Sequence, residues 1–239
     1  MSNLDDIKRL IAEEQIRITE LDDFDYLVDE FQEEFSGREI QKGHTEIGLS
    51  LTDKHRNRFP EMCRLLALAR VIRVKIDNQD YLCLGWLEDE SRTVWLCNKP
   101  QANCIYLSPD HQLIASLIGG ISTTVETISS SLANLNWALA TNPSQIIPNY
   151  DIPKSRFIRI ADIPPFEFQN YYVIAEGANG AQTICHKKTG KLIVISHSSA
   201  DGLAPLPKWP ENSLFIIEGT PSFQVWVEQL AEDYLSEIE

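Results

Sequence analysis

The chain has 239 residues with 43% hydrophobic content, enough for one large domain or two small ones, which excludes disorder over the whole length. Its 21 basic and 35 acidic residues leave a net charge of −14 (21 − 35), which excludes a protein that grips nucleic acid through a broad phosphate-contacting surface. The acidity is uneven: residues 1–40 hold 4 basic and 13 acidic groups (net −9), residues 41–110 hold 10 and 9 (net +1), and residues 111–239 hold 7 and 13 (net −6).

The chain starts Met1-Ser2-Asn3-Leu4-Asp5-Asp6, with acids where a secretory signal carries basic residues, so a cytoplasmic protein is expected. Leu4, Ile7, Leu10 and Ile11 have the spacing of a short amphipathic helix. A second helix follows a capping arrangement at Thr19 and Asp22, with Phe24, Leu27, Val28, Phe31 and Phe35 as one stripe. Its opposite face carries Asp22, Asp25, Asp29 and Glu33, at spacings of three, four and four. Gly37 ends it, and the polar stretch to Thr52 reads as a loop.

A third helix is expected over residues 58–69. Strands follow over 71–76, 81–87, 93–98 and 104–107, joined by turns at Asp77-Asn78, Asp89-Glu90 and Lys99-Pro100, and connections this short require antiparallel neighbours. Asp110 then caps a run over 111–118. The apolar stretch at 113–121 falls far short of the roughly 20 residues needed to cross a bilayer. A further helix is expected over 129–140.

Five prolines between residues 143 and 165 oppose regular helix and mark a linker or long crossing arm, in which Phe157-Ile158-Arg159-Ile160 can add an edge strand. Beyond it, strands over 171–175, 181–186 and 191–196 are joined at Asn179-Gly180 and Thr189-Gly190. A fourth strand spans 214–217. Thr220-Pro221 then opens a last helix striped by Phe223, Trp226, Val227, Leu230 and Tyr234. The fold class is therefore α+β, antiparallel meanders packed on several helices with a C-terminal amphipathic helix. The chain divides at 1–142 and 143–239, or forms one continuous domain.

Chemical motifs are sparse. Five cysteines, none in a Cys-x-x-Cys pair, indicate neither a disulfide framework nor a zinc ribbon, and apolar neighbours make them packing residues. Cys185 and His186 adjoin, but neighbours along a strand point to opposite faces. The other histidines, His44, His55, His111 and His197, lack the spacing of common zinc motifs. An enzyme of unknown chemistry would have to be built around Cys185, His186, His111 or His197. Basic residues from Lys54 to Lys75 read as solvated faces of a helix and a strand. Trp209, in Pro205-Leu206-Pro207-Lys208-Trp209-Pro210, is either an interface anchor or loop packing.

Residues 170–235 carry a family resemblance. Tyr172-Val173-Ile174-Ala175-Glu176-Gly177, Asn179-Gly180, Thr183-Ile184-Cys185, Thr189-Gly190-Lys191-Leu192-Ile193-Val194 and the Ser222-Phe223-x-x-Trp226-Val227 helix resemble the end of a SUKH-superfamily domain, a group that includes bacterial immunity proteins and a fungal regulator of glucan synthesis. The resemblance implies a non-enzymatic module, immunity-type or regulatory, that binds another protein such as a basic toxin. No cofactor or metal is expected from the histidine and cysteine spacing, and the net charge and short apolar run lead to the expectation of no direct nucleic-acid contact and no membrane. The partner-binding candidates are the acidic row Asp22, Asp25, Asp29 and Glu33, together with Trp209. A scaffold subunit with no toxin partner is the third reading.

Overall fold

The computed structural model describes residues 40–87, 92–101, 104–125, 135–138, 166–177, 180–196, 198–209 and 213–238. The two N-terminal helices expected from the sequence, and the proline-rich segment as far as residue 165, lie outside these residues.

Eleven described strands form an antiparallel sheet: β1 (Ile40–Ile47), β2 (Arg70–Ile76), β3 (Gln79–Leu87), β4 (Arg92–Asn98), β5 (Ile121–Val125), β6 (Leu135–Ala138), β7 (Tyr171–Gly177), β8 (Gln182–His186), β9 (Leu192–Ile195), β10 (Leu203–Pro205) and β11 (Leu214–Ile217). Their spatial order follows the chain except that β11 pairs with β9 and β10 takes the edge. Short β6 joins the two meanders, touching β5 through the single pair Ile121↔Ala138 and β7 through Leu135, Trp137 and Ala138. With four described helices, α1 (Asp53–Arg58), α2 (Pro60–Leu68), α3 (Pro109–Ala115) and α4 (Phe223–Ile238), the architecture is α+β, with a C-terminal helix.

Local chemistry explains the best-defined elements. Asp77 and Asn78 both adopt positive φ, 50° and 67°, the two-residue turn that matches strand twist and closes β2 on β3 in full register. Alternation along β2 sends Val71 toward the helices and Ile72, Val74 and Ile76 to the other face. Thr52 and His55 form a capping box at α1, and Pro60 starts α2 where its missing N–H costs nothing.

The helix-side core is continuous. It takes Val71, Leu84 and Trp95 from the first meander, Tyr172, Ile174 and Leu192 from the second, and Met62, Ile114 and Val227 from the helices. Described residues before 143 and after 165 thus contribute to one core. At its centre Trp95 meets Trp86 at 4.7 Å and Tyr234 edge-on at 5.1 Å, while the Trp86 indole donates to the Leu65 carbonyl. The opposite face carries two separate clusters, one on β2–β4 and one on β7–β11.

Helix α4 is fastened to the α1–α2 junction. Both carboxylate oxygens of Glu228 accept first-turn amides of α2, from Glu61 at 3.1 Å and Met62 at 3.2 Å, supplying the acceptors that a helix N-terminus lacks. Gln224 donates to the Arg58 carbonyl, and Phe223 meets Phe59 edge-on. Burial raises the Glu228 pKa, and the two amide donors oppose that rise.

Several expectations change. The stretch read as a loop before Thr52 contains β1, a mostly polar strand at the sheet edge. The helix expected over 58–69 is α2, and the short α1 before it was not expected; the two are separated at Phe59, because Pro60 cannot continue an incoming helix. Residues 135–138, expected to be helical, form β6. Residues 104–107 form a turn, closed by Leu107 N–H donating to the Cys104 carbonyl, in place of a strand. The cap of α3 is Ser108, not Asp110, with Pro109 at the first helical position.

Candidate functional site

The residues with the greatest chemical potential meet beneath the N-terminus of α3. Ser108 is held there as the helix cap, its side chain accepting from His111 N–H. The β7–β8 register places Tyr172 opposite Cys185, and both side chains turn toward α3. The Tyr172 oxygen accepts the Ser108 amide at 3.1 Å and lies 3.0 Å from His111 Nδ1 and 3.2 Å from Ser108 Oγ. The Cys185 thiol reaches Ser108 Oγ at 3.7 Å. His111 is stacked on Phe223, with centroids 4.5 Å apart and planes 19° from parallel.

Cys185 and His111 therefore share two intermediaries, Ser108 and Tyr172, as in a catalytic relay. Their surroundings oppose that use. Ser108, His111 and Cys185 are each 0% exposed and Tyr172 is 3% exposed. Burial pushes the Cys185 thiol up to about 11, against the opposing hydrogen bonds from Tyr172 and Ser108, so the nucleophilic thiolate is scarce at neutral pH. Burial also raises the Tyr172 phenol, which stays protonated. The arrangement is a satisfied buried polar network that ties α3, β7, β8 and α4 together.

The other histidines stand apart. His186 faces away from Cys185, its Nδ1 accepting from Lys188 N–H and Thr189 N–H within the β8–β9 turn. Buried His55 places Nδ1 2.8 Å from Thr52 Oγ1 and Nε2 3.0 Å from Ser116 Oγ, bridging α1 to the end of α3; burial lowers its pKa. His197 lies outside the described residues. Among the described residues, no group of three or more His, Cys, Asp or Glu is arranged to hold a metal ion. All five cysteines are free and buried; burial pushes Cys63 up to about 11 and Cys83 up to about 12.

Of the partner-binding candidates, Asp22, Asp25, Asp29 and Glu33 lie outside the described residues. Trp209 is half-buried on the β7–β11 cluster, edge-on to Phe166 with centroids 5.8 Å apart, so its ring packs against the protein's own surface.

Sequence reading missed Ser108 and Tyr172. Ser108-Pro109 was a legible helix start, a capping residue followed by proline, whereas Tyr172 carries no signal that separates it from an ordinary strand core residue. It also missed Ile105 and Tyr106, which are 73% and 53% exposed at the turn before α3, the exposed large hydrophobics among the described residues. Among the described residues, no helix is long and apolar enough to cross a membrane.

Compared with protein-family models, with curated proteins and with solved structures, the chain gives no match in any of the three.

Proposed function

We propose that the protein is a non-enzymatic protein-binding module of SUKH type, acting in the cytoplasm as an immunity or regulatory protein. The observation that carries this reading is the closure of the Cys185–Ser108–Tyr172–His111 network, whose members are nearly or wholly inaccessible. A catalytic thiol needs an open approach and a lowered pKa; Cys185 has neither. The succession of β7, β8 and β9, with α4 closing the core, covers the segments on which the SUKH resemblance rests.

The partner in this reading is a basic protein, such as a nuclease toxin. The net −9 of residues 1–40 steers it, and Asp22, Asp25, Asp29 and Glu33 meet it. The test uses the full chain and the product of the adjacent gene in titration calorimetry. A complex that weakens with salt and with paired Asp25→Lys and Asp29→Lys substitutions supports the reading. Unchanged affinity in the paired variant removes the acidic row, and the absence of a complex removes the immunity role.

A further inference from the structure

The third residue of α1, His55, is 6% exposed, and its two ring nitrogens are used in opposite senses. The Thr52 amide can only donate, and it lies 3.1 Å from Nδ1, so Nδ1 carries no hydrogen in the neutral ring. The hydrogen therefore sits on Nε2, 3.0 Å from Ser116 Oγ at the end of α3. Ser116 gives its one hydroxyl hydrogen to the Leu113 carbonyl at 2.7 Å, which leaves its oxygen to accept from Nε2–H. One nitrogen thus caps α1 and the other ties it to α3.

A proton added at Nδ1 breaks this arrangement, because its hydrogen points at the Thr52 N–H. The Thr52 hydroxyl, 2.8 Å away, can turn to accept the new hydrogen, but the amide loses its acceptor. The cation is also held out of water. Burial is the main cause that lowers the His55 pKa; a hydrogen bond with the Leu113 backbone opposes it, and the Lys54 ammonium adds to the lowering. Asp53 and Arg56 are the other charged residues of α1 near the ring. On the elements packed around α1, Asp110 of α3 is held by a fork from Arg58 at 2.6 Å, Glu61 of α2 lies 3.4 Å from Arg64, and Glu228 of α4 accepts the α2 amides.

We propose that His55 is an acid-sensitive clasp: in its neutral form it holds the first turn of α1 to the end of α3, and on taking up a proton it lets that turn go. The other end of α1 stays fixed, since Arg58 grips Asp110 through its side chain and accepts from Gln224 of α4 through its carbonyl. The opening is therefore local, confined to the first turn of α1 and the connector from β1, whose Leu49 and Leu51 rest partly buried on the helix-side core. Because the folded pKa lies below the ordinary 6.5, the open form takes up the proton first. Closure is fully favoured above pH 6.5 and weakens as the pH falls below it. The inference goes beyond the protein-binding reading and does not rest on it.

The test is amide hydrogen exchange of the full chain by NMR at pH 7.5 and pH 5.5, corrected for the intrinsic exchange rate. The reporters are the Thr52 amide, which donates to Nδ1, and the Arg56 amide, which donates to the Thr52 carbonyl. Both should lose protection several-fold at the lower pH, to a limit of about tenfold set by one proton, while amides of β3 and β4 keep theirs. His55→Asn, whose side chain keeps an acceptor on the Thr52 side and does not titrate, should make protection at the two reporters independent of pH. Equal protection of the wild type at both pH values, the same acid loss in the variant, or an equal loss in β3 and β4 overturns the clasp. A second reading needs no substitution. The imidazole nitrogen shifts of the wild type should place the neutral hydrogen on Nε2 and give a titration midpoint below 6.5; a hydrogen on Nδ1, or a midpoint at or above that value, overturns it.

Discussion

Replacing Tyr172 by phenylalanine deletes one oxygen from the core and strands the groups around it. The Ser108 amide, in a residue that is 0% exposed, donates to that oxygen at 3.1 Å, and His111 Nδ1 sits 3.0 Å from it. Ser108 Oγ also loses a neighbour at 3.2 Å but keeps His111 N–H and the Cys185 thiol. A buried polar group left without its partner costs about 1–3 kcal/mol. One stranded amide and one weakened imidazole therefore put Tyr172→Phe at about 2–3 kcal/mol. For a chain of this size that lowers the melting temperature by about 4–12 °C. The assay is urea denaturation alongside a thermal melt. Tyr171→Phe is the internal control: the same atom is removed one residue earlier, on the opposite face and away from the Ser108–His111 network, and the loss of stability should be clearly smaller than at Tyr172. Ser108→Ala combined with Tyr172→Phe should cost less than the sum of the two, because they share contacts. Equal effects at positions 171 and 172, or strict additivity of the pair, would refute the network.

The fastening of α4 to α2 gives a second prediction: Glu228→Ala, losing both amide acceptors, costs about 1–2 kcal/mol, as for loss of a helix cap, in chemical denaturation. Because burial raises the folded pKa of Glu228 above its unfolded value, the native state takes up this proton first, and the Glu228 contribution to stability rises as pH falls through the folded pKa. Glu228→Gln removes that rise; an identical pH slope in wild type and variant counts against it. Gly119→Ala places a Cβ 2.0 Å from the Lys99 carbonyl oxygen and 3.0 Å from that of Asn98, both backbone atoms, so the variant should lose several kcal/mol or fail to accumulate as folded protein. A normal melting temperature for that variant would show that the 98–99 backbone yields.

Legibility followed the range of the interactions. Strands β2 to β4 could be read because Val71, Ile72 and Val74 carry strand propensity and Asp77-Asn78 supplies a two-residue turn, all within a few residues of chain. Helix α4 could be read because its stripe from Phe223 to Tyr234 is long enough to fix its period. Strand β1 could not: Gln41, Lys42, Gly43, His44, Thr45 and Glu46 are mostly polar, and only pairing with β2 makes them a strand. Leu135 and Trp137 fit a helical stripe as readily as β6, and the sheet decides between them. Ile105 and Tyr106 have strand character, yet Ser108-Pro109 starts a helix so soon after them that only a turn fits. The polar network was hidden for the same reason: Ser108 meets Tyr172 and Cys185 across 64 and 77 residues of chain, and no local pattern encodes such a contact. One local argument did reach the site. Alternation along β8 separates Cys185 from His186, and the two side chains serve different surroundings.

The most direct test of the central claim, that Cys185 and its neighbours hold the fold together and perform no chemistry, is the pH dependence of iodoacetamide labelling of the folded chain, read at Cys185 by mass spectrometry. The account predicts that Cys185 stays unlabelled through neutral pH, gaining reactivity only as the pH approaches about 11 or the protein unfolds. Rapid labelling of Cys185 at neutral pH, with the fold intact, would contradict it.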